Sequence, residues 1–367
     1  MNETCQDCGD KMEYVLAGVI MLLVESDLSC ICCQKFMHLH QRQTRSASSD
    51  AKLIAGIREW SSNSCCKTTS LTQLGVIGCT INTIAIILLF KTSVFHRSFG
   101  YICASHLIAD TGVLAIHIFW AGPASLLRLE LDVTSSFIGS TIGQIALFFW
   151  FATLYSQVQI AINRLIAIAW PTTYTMLFTG KGLAIFISMF WIVSGLQSFL
   201  HFWDECKYYF DVTVFSWIYP DTRCGRFASF YLDFLPSTTA CTLVFLIHTA
   251  TFFCVRRKTK ILLRTSAIFS TEQLLLLKRN IRFYVQGLVT AVTLASIIVC
   301  FHLISRFAIT RWEKFASSTL VWLIAHIMDG VIIIVFNKPF RAMFWHPCSV
   351  RRTKNTTTMA LNSALKQ

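Results

Sequence analysis

Charge is scarce in this sequence. Asp, Glu, Lys and Arg make up 14% of its 367 residues, against about 25% in a soluble domain, while 54% are hydrophobic and 30 are Phe. That balance excludes a soluble globule and reads as a polytopic membrane protein. Acid is the scarcer sign, with 19 Asp and Glu against 32 Lys and Arg, for a net charge of +13. In a soluble chain such an excess would suggest nucleic acid. Here the basic residues sit in connections and a tail, where they bias membrane topology, so no nucleic-acid partner is expected. Other absences exclude catalysis and transport. Asp110-Thr111-Gly112 spells the aspartic-protease triplet, but that chemistry needs two such loops in one aqueous cleft, and this copy lies inside an apolar run. The Tyr-Asp and Gly-x-Gly-Asp patterns of intramembrane proteases are missing. No inverted repeat with paired Gly or Pro interruptions marks a transporter. Cys5-x-x-Cys8, Cys30-x-Cys32-Cys33 and Cys65-Cys66, with His38 and His40 nearby, match no four-ligand zinc spacing. No metal, cofactor or enzymatic activity is expected.

What is present is a series of apolar runs, organised around residues 140–174. Between Gly143 and Ile162 there is no charge at all, a length that crosses a bilayer. The run ends in Ile160-Ala161-Ile162-Asn163-Arg164-Leu165, then Trp170-Pro171 and Tyr174. Arg164 at such a place either snorkels, pairs or works. Seven spans follow from length alone, at about 71–90, 99–120, 138–162, 182–203, 228–254, 283–304 and 315–336. The connections alternate in charge. Those at 91–98, 164–181, 255–282 and 337–367 hold eighteen Lys and Arg, and the opposite set seven, so the first set is placed in the cytoplasm. An extracellular N-terminus and a cytoplasmic C-terminus follow. Residues 1–70 carry a short apolar run, Tyr14–Val24, behind an acidic start; they read as a disordered extracellular extension or a gene-model artefact, and no function rests on them. Residues 71–345 form the membrane domain and 346–367 a cytoplasmic tail. Asp110 and Asp329 lie inside apolar helices, where a carboxylate is expected to face the bundle interior.

The motifs resemble those of rhodopsin-like receptors. Asn82 after Gly78, Leu107-Ile108-Ala109-Asp110, Asn163-Arg164, and Asp329-Gly330 followed by Asn337-Lys338-Pro339-Phe340-Arg341 fall at the polar positions of that pattern. Asn163 stands for its acid, Gly330 for its proline and Ile333 for its tyrosine. A narrower likeness is stronger. Ser98-Phe99-Gly100-Tyr101, Phe119-Trp120 followed by Pro123, Gln144, Arg282-Phe283-Tyr284-Val285-Gln286 and His326-x-x-Asp329-Gly330 resemble the nematode serpentine receptors of class x, over roughly residues 71–345.

The resemblance implies an all-α, rhodopsin-like bundle of seven transmembrane helices with a short amphipathic helix after the seventh. It implies a chemosensory, G-protein-coupled receptor at the plasma membrane, in sensory cilia among other sites. The partners would be a heterotrimeric G protein, a small organic or peptide ligand, and the bilayer. Asn163 and Arg164 would form the G-protein switch, and Asn82, Asp110, Asp329 and Asn337 a polar cluster that holds a cation or changes protonation. The third-span cysteine of the rhodopsin-like pattern is missing, so Cys206 and Cys224 are taken as a bridge within the second outer loop, which extracellular redox permits. The position of the monoamine-binding aspartate falls on Ala146, and no lysine in the seventh span offers a retinal Schiff base. His117, Trp120, Gln144, Trp150, His201 and Trp203 are the pocket candidates, in a mostly apolar site with a few hydrogen-bonding groups. A ligand-gated channel or a non-signalling polytopic membrane protein is the alternative, and the charge count opposes the inside N-terminus of the seven-helix channels.

Overall fold

The backbone of a membrane span must satisfy its own hydrogen bonds, because hydrocarbon offers none. Apolar runs of this length therefore fold as helices. The computed structural model describes the backbone of residues 51–341 except 93–94, 96, 266–270 and 338–339, and side chains from residue 71, with 204, 262–280 and 283 also excepted. Seven helices are long and apolar enough to cross a membrane. The first, α1, runs Ala51–Lys91, with its apolar part at Leu71–Lys91. The others are α2 (Ser98–Leu127), α3 (Phe137–Ala169), α4 (Gly180–Phe202), α5 (Arg223–Ile261), α6 (Tyr284–Arg306) and α7 (Arg311–Phe336).

These agree with the runs read from sequence, with one difference at the start. The helix begins at Ala51, not where the apolar run begins. No proline interrupts 51–70, so a helix already paid for by its membrane half extends beyond it at little nucleation cost. Residues 1–50, the tail and nearly all of the amphipathic helix expected after α7 lie outside the described residues.

The centre of the bundle is α3, packed against α2, α4 and α5 and, more lightly, α6, while α1 bridges α2 and α7 and α6 bridges α5 and α7. Its inward face carries Ala146, Leu147, Trp150, Phe151, Leu154, Val158 and Ala161, all buried. By contrast α4 is peripheral, with Ile185, Ile192, Leu196 and Phe199 exposed on its outer side, as a lipid-facing helix should be. Two prolines fall inside spans, Pro123 and Pro236. Each follows a π-helical turn, His117–Ala121 in α2 and Ala228–Phe234 in α5. Such a turn accommodates the missing amide and re-aims the side chains around it. A third π turn, Ala316–Leu320, opens α7 behind a capping box of Thr310 and Glu313.

Between α4 and α5 the chain forms a small hairpin, β1 (Tyr209–Asp211) against β2 (Ser216–Ile218), with Phe210 paired to Trp217. Asp211 closes its turn by accepting from Thr213 N and Oγ1 at 2.7 and 2.6 Å. A disulfide joins Cys206 to Cys224, Cα to Cα 4.9 Å, and so ties the hairpin's base to the start of α5. The hairpin sinks into the bundle: Tyr208, Phe210, Phe215 and Trp217 belong to one hydrophobic core with Leu147, Trp150 and Phe151. Gly143 makes this depth accessible, because a Cβ there would collide with the Tyr208 carbonyl.

Candidate functional site

Three polar features occupy the bundle axis. The middle one is built on α2 and α7. His106 and Asp110 are one helical turn apart on α2, and His326 and Asp329 share a face of α7, so two imidazoles and two carboxylates meet in the interior. His326 Nδ1 lies 2.8 Å from Asp110 Oδ1, which also accepts from Thr153 Oγ1 of α3 at 2.9 Å. His106 Nε2 is 3.4 Å from Asp110 Oδ2 and 3.3 Å from Asp329 Oδ2. Its ring is further held by Ser156 Oγ at 2.7 Å and Gln157 Nε2 at 2.9 Å. Asn82 Nδ2 donates to the His326 carbonyl at 3.3 Å. Gly330 permits that approach of α1, since a Cβ there would strike the Asn82 amide oxygen. The glycine that replaces the rhodopsin-like proline thus has a packing role.

One atom each of His106, Asp110 and Asp329 lie within 4.8 Å of one another. Asp110 Oδ2, Asp329 Oδ1, Asn82 Oδ1 and His326 Nε2 are buried without a hydrogen-bond partner among the described residues. A cation or a shared proton would suit this set of acceptors. Asn337, counted with the cluster from sequence, is instead buried at the inner end of α7, where its amide donates to the Ile333 carbonyl and caps the helix.

The inner feature is Arg164. Its side chain is 6% exposed, so it is not a snorkelling anchor in this conformation. The guanidinium sits 5.0 Å from the Phe99 ring centroid, a cation–π contact that partly offsets its desolvation. Arg164 lines a narrow internal space with Cys103, His106, Gln157, Gln286, Thr290 and Asp329, which reaches from the inner end of α3 to the carboxylates. Asn163 is buried, and its Nδ2 has no partner among the described residues. Nearby, Lys258 of α5 donates to the Ile168 carbonyl of α3, and Ser98 shares a hydrogen bond with Tyr174 of the connection after α3.

The outer feature is a narrow pocket under the hairpin, with about 10 Å³ of free space, lined by Leu147, Trp150, Tyr208, Asp233, Ile297, Ile298, Phe301, His302 and Trp322. Of the six pocket residues expected from sequence, Trp150 lines it. His117 is buried above it, where it accepts from Trp217 Nε1 at 3.1 Å and stacks edge-on to Trp322 at 5.4 Å. His201 is fully buried behind Phe151 and Tyr219. Trp120 and Gln144 are partly buried and line none of it, and Trp203 is 64% exposed beyond the end of α4. Interfacial aromatics behave in that way.

Sequence reasoning missed Asp233, His302, Tyr208 and Trp322 in the pocket, and His106 and His326 in the middle cluster. For the histidines a signal was present: His106-x-x-x-Asp110 and His326-x-x-Asp329 are spacings that share a helix face. Asp233 carried a signal as a charge inside the fifth apolar run, but a π turn sets its facing, and helical periodicity alone could not aim it at the pocket.

The bundle has the fold of the rhodopsin-like seven-helix class. It superposes on the crystal structure of squid rhodopsin with a TM-score of 0.62 at 17% sequence identity, covering 76% of this chain and 84% of that one. Within that class, residues 73–337 match the family model of the serpentine type 7TM GPCR chemoreceptor Srx, and the chain belongs to this family. Relatives from Caenorhabditis elegans include serpentine receptor class X 45, 24% identical over 76% of this chain and 80% of its own length. Serpentine receptor class X-43 is 23% identical over 54% of this chain and 62% of its own length. It is a multi-pass membrane protein of a receptor family, and that family is not one of enzymes.

Proposed function

We propose that the protein is a chemosensory receptor that binds an extracellular ligand and activates a heterotrimeric G protein. The observation that carries this reading is the alignment, on one helix, of a pocket wall (Trp150), a contact to the buried carboxylates (Thr153) and the buried Arg164. A ligand in the outer pocket would shift the bundle between two packings, to the extent that it binds one more tightly than the other. In the resting packing Arg164 is held inside. In the active one α5 and α6 part at their inner ends and Arg164 meets the G protein. A crevice between those ends, lined by Phe252, Arg256, Lys260 and Tyr284, supports this direction of opening.

The orientation is N-terminus outside and C-terminus in the cytoplasm, on the strength of the loop charges. It puts the disulfide-tied hairpin on the oxidising side and the plasma membrane of a sensory cell, cilia included, as the place of action.

The test is nucleotide exchange on a promiscuous G protein in membranes containing the receptor, with and without a panel of small organics and peptides, and with Arg164→Ala alongside. Exchange above background that the substitution abolishes is the expected result. Surface expression without exchange under any condition refutes the reading; ion currents in the same membranes would then speak for the channel alternative.

A further inference from the structure

Among the described residues, Asp233 is the one carboxylate that lines the outer pocket. It sits in the π turn of α5, and 2% of it is exposed. Oδ1 accepts from Trp150 Nε1 at 3.2 Å and from Ser237 Oγ at 3.3 Å. Oδ2 accepts from the Tyr219 hydroxyl at 3.1 Å, and His302 Nε2 stands 3.7 Å away. Burial first, and the Asp233 charge second, push the Tyr208 and Tyr219 phenols well above their usual value, so both stay protonated and neutral. Among the described residues no Lys or Arg nitrogen lies within 4.0 Å of the carboxylate. Its neighbours are three neutral donors and one imidazole.

A carboxylate taken out of water is costly unless a cation meets it. The space it borders is walled by rings: Trp150, Tyr208, Phe301 and Trp322 all line the same pocket. Trp150 and Trp322 meet edge to face at 6.0 Å, and Tyr208 stacks on Trp217 of the hairpin at 5.6 Å. Aromatic faces attract cations, most strongly where water is excluded. A neutral apolar ligand would gain nothing from the carboxylate, and an anion would be repelled by it.

We infer that the pocket takes a small organic cation, a protonated amine or a quaternary ammonium, with Asp233 as its counter-ion and the rings of Trp150, Tyr208, Phe301 and Trp322 as its cage. The position differs from that of the amine-binding aspartate expected on the third span, which here is Ala146. The acid approaches instead from α5, delivered by the π turn ahead of Pro236. The pocket is nearly closed in this packing, with about 10 Å³ free, so a compact ammonium enters as the rings around it part. This inference rests on the receptor reading for the pocket's purpose, and not for its chemistry.

The experiment measures binding by the full-length chain in nanodiscs of neutral lipid, with no G protein present. The probes are choline against its uncharged isostere 3,3-dimethylbutanol, and phenethylamine against phenethyl alcohol. The cations are expected to bind and raise the melting temperature, while their isosteres do neither. Asp233→Asn should weaken cation binding on the order of a hundredfold, as loss of a buried ionic partner does, and Asp233→Glu should restore part of it. The choline and phenethylamine arms separate a quaternary from a primary ammonium. Equal binding of cation and isostere, unchanged cation binding in a folded Asp233→Asn protein, or no cation binding up to millimolar concentration overturns the inference. Should Asp233→Asn fail to fold, the wild-type comparison of charged with uncharged probes decides alone. Nucleotide exchange is read separately. Cation binding without exchange would uphold the pocket and refute coupling, and exchange driven only by uncharged ligands would do the reverse.

Discussion

Replacing Asp110 by Asn separates a switch from a strut. The substitution keeps size and shape and removes the charge. Asp110 Oδ1 is shared by Thr153 Oγ1 at 2.9 Å and His326 Nδ1 at 2.8 Å, and an amide oxygen at that place can still accept from both. The amide nitrogen then faces His106 Nε2, now 3.4 Å from Oδ2. Each of the two retained bonds falls from the range of a hydrogen bond to a charged group, about 1.5–3 kcal/mol, to that of a neutral one, about 0.5–1.5 kcal/mol. The sum is a loss of about 2 kcal/mol, with the lower end favoured in a membrane, where interhelical hydrogen bonds average about 0.6 kcal/mol. If the cluster differs between resting and active packings, this loss appears as a change in their ratio of about 5- to 30-fold. Basal and ligand-driven nucleotide exchange, read beside the melting temperature of the purified protein, distinguish the cases. A strut loses stability without a change in the exchange ratio. Unchanged expression and unchanged activation in Asp110→Asn would refute the switch.

Three further outcomes are expected. Asn163→Asp restores the acid of the rhodopsin-like pattern beside Arg164; a charged partner binds about twice as strongly as a neutral one, so basal nucleotide exchange should fall, and a receptor already silent and no quieter after the change would count against the reasoning. Cys206→Ser removes a bridge of sequence separation 18, which by chain entropy is worth about 3 kcal/mol; reductant should lower the wild-type melting temperature and leave the mutant's where it is. Gly143→Ala drives a Cβ into the Tyr208 carbonyl and should displace the hairpin, weakening saturation binding of choline while basal nucleotide exchange stays as in the wild type.

The spans were legible because hydrocarbon thickness imposes one length on every crossing helix, and the bundle order follows from their connections. Within the spans, legibility depended on position in the repeat. Asp110 and Asp329 stand out as charges in apolar runs, and the structure sets them beside the same imidazole, His106. His106 did not stand out, and His326 did so only within the His326-x-x-Asp329-Gly330 motif, since a histidine in an apolar helix is as often packing as ligand. Asn337 was grouped with the cluster by motif, and the structure places it a turn further inward as a helix cap. The outer pocket was least legible. Two of its walls come from a hairpin and from a π turn, whose side-chain directions obey neither a 3.6-residue nor a two-residue period. Residues named there for being aromatic and near an outer end, such as Trp203, proved to be surface.

The three polar features are not separate sites on a common scaffold; they touch. Trp322 stacks beside His326 at 6.0 Å, and Trp150 stands edge-on to it at 6.2 Å. His326 bonds Asp110, Asp110 faces His106, and His106 is held by Gln157. Gln157 and Arg164 then line one internal space. Contiguity alone is no proof of coupling, which requires an element with two arrangements that both ends bias. The cluster has the composition of such an element. Asp110 Oδ2 and Asp329 Oδ1 have no hydrogen-bond partner among the described residues, although His106 Nε2 stands 3.4 Å from the first, and low dielectric makes unmet polar groups expensive. One added proton or cation would satisfy them and draw α2 and α7 together. Any movement of Trp322 or Trp150 that turns His326 away from Asp110 would raise the demand for that charge. On the proposed receptor reading, the free energy of a ligand in the outer pocket would act where α2, α3 and α7 meet, and Arg164 stands at the inner end of the same helix that supplies Trp150 and Thr153.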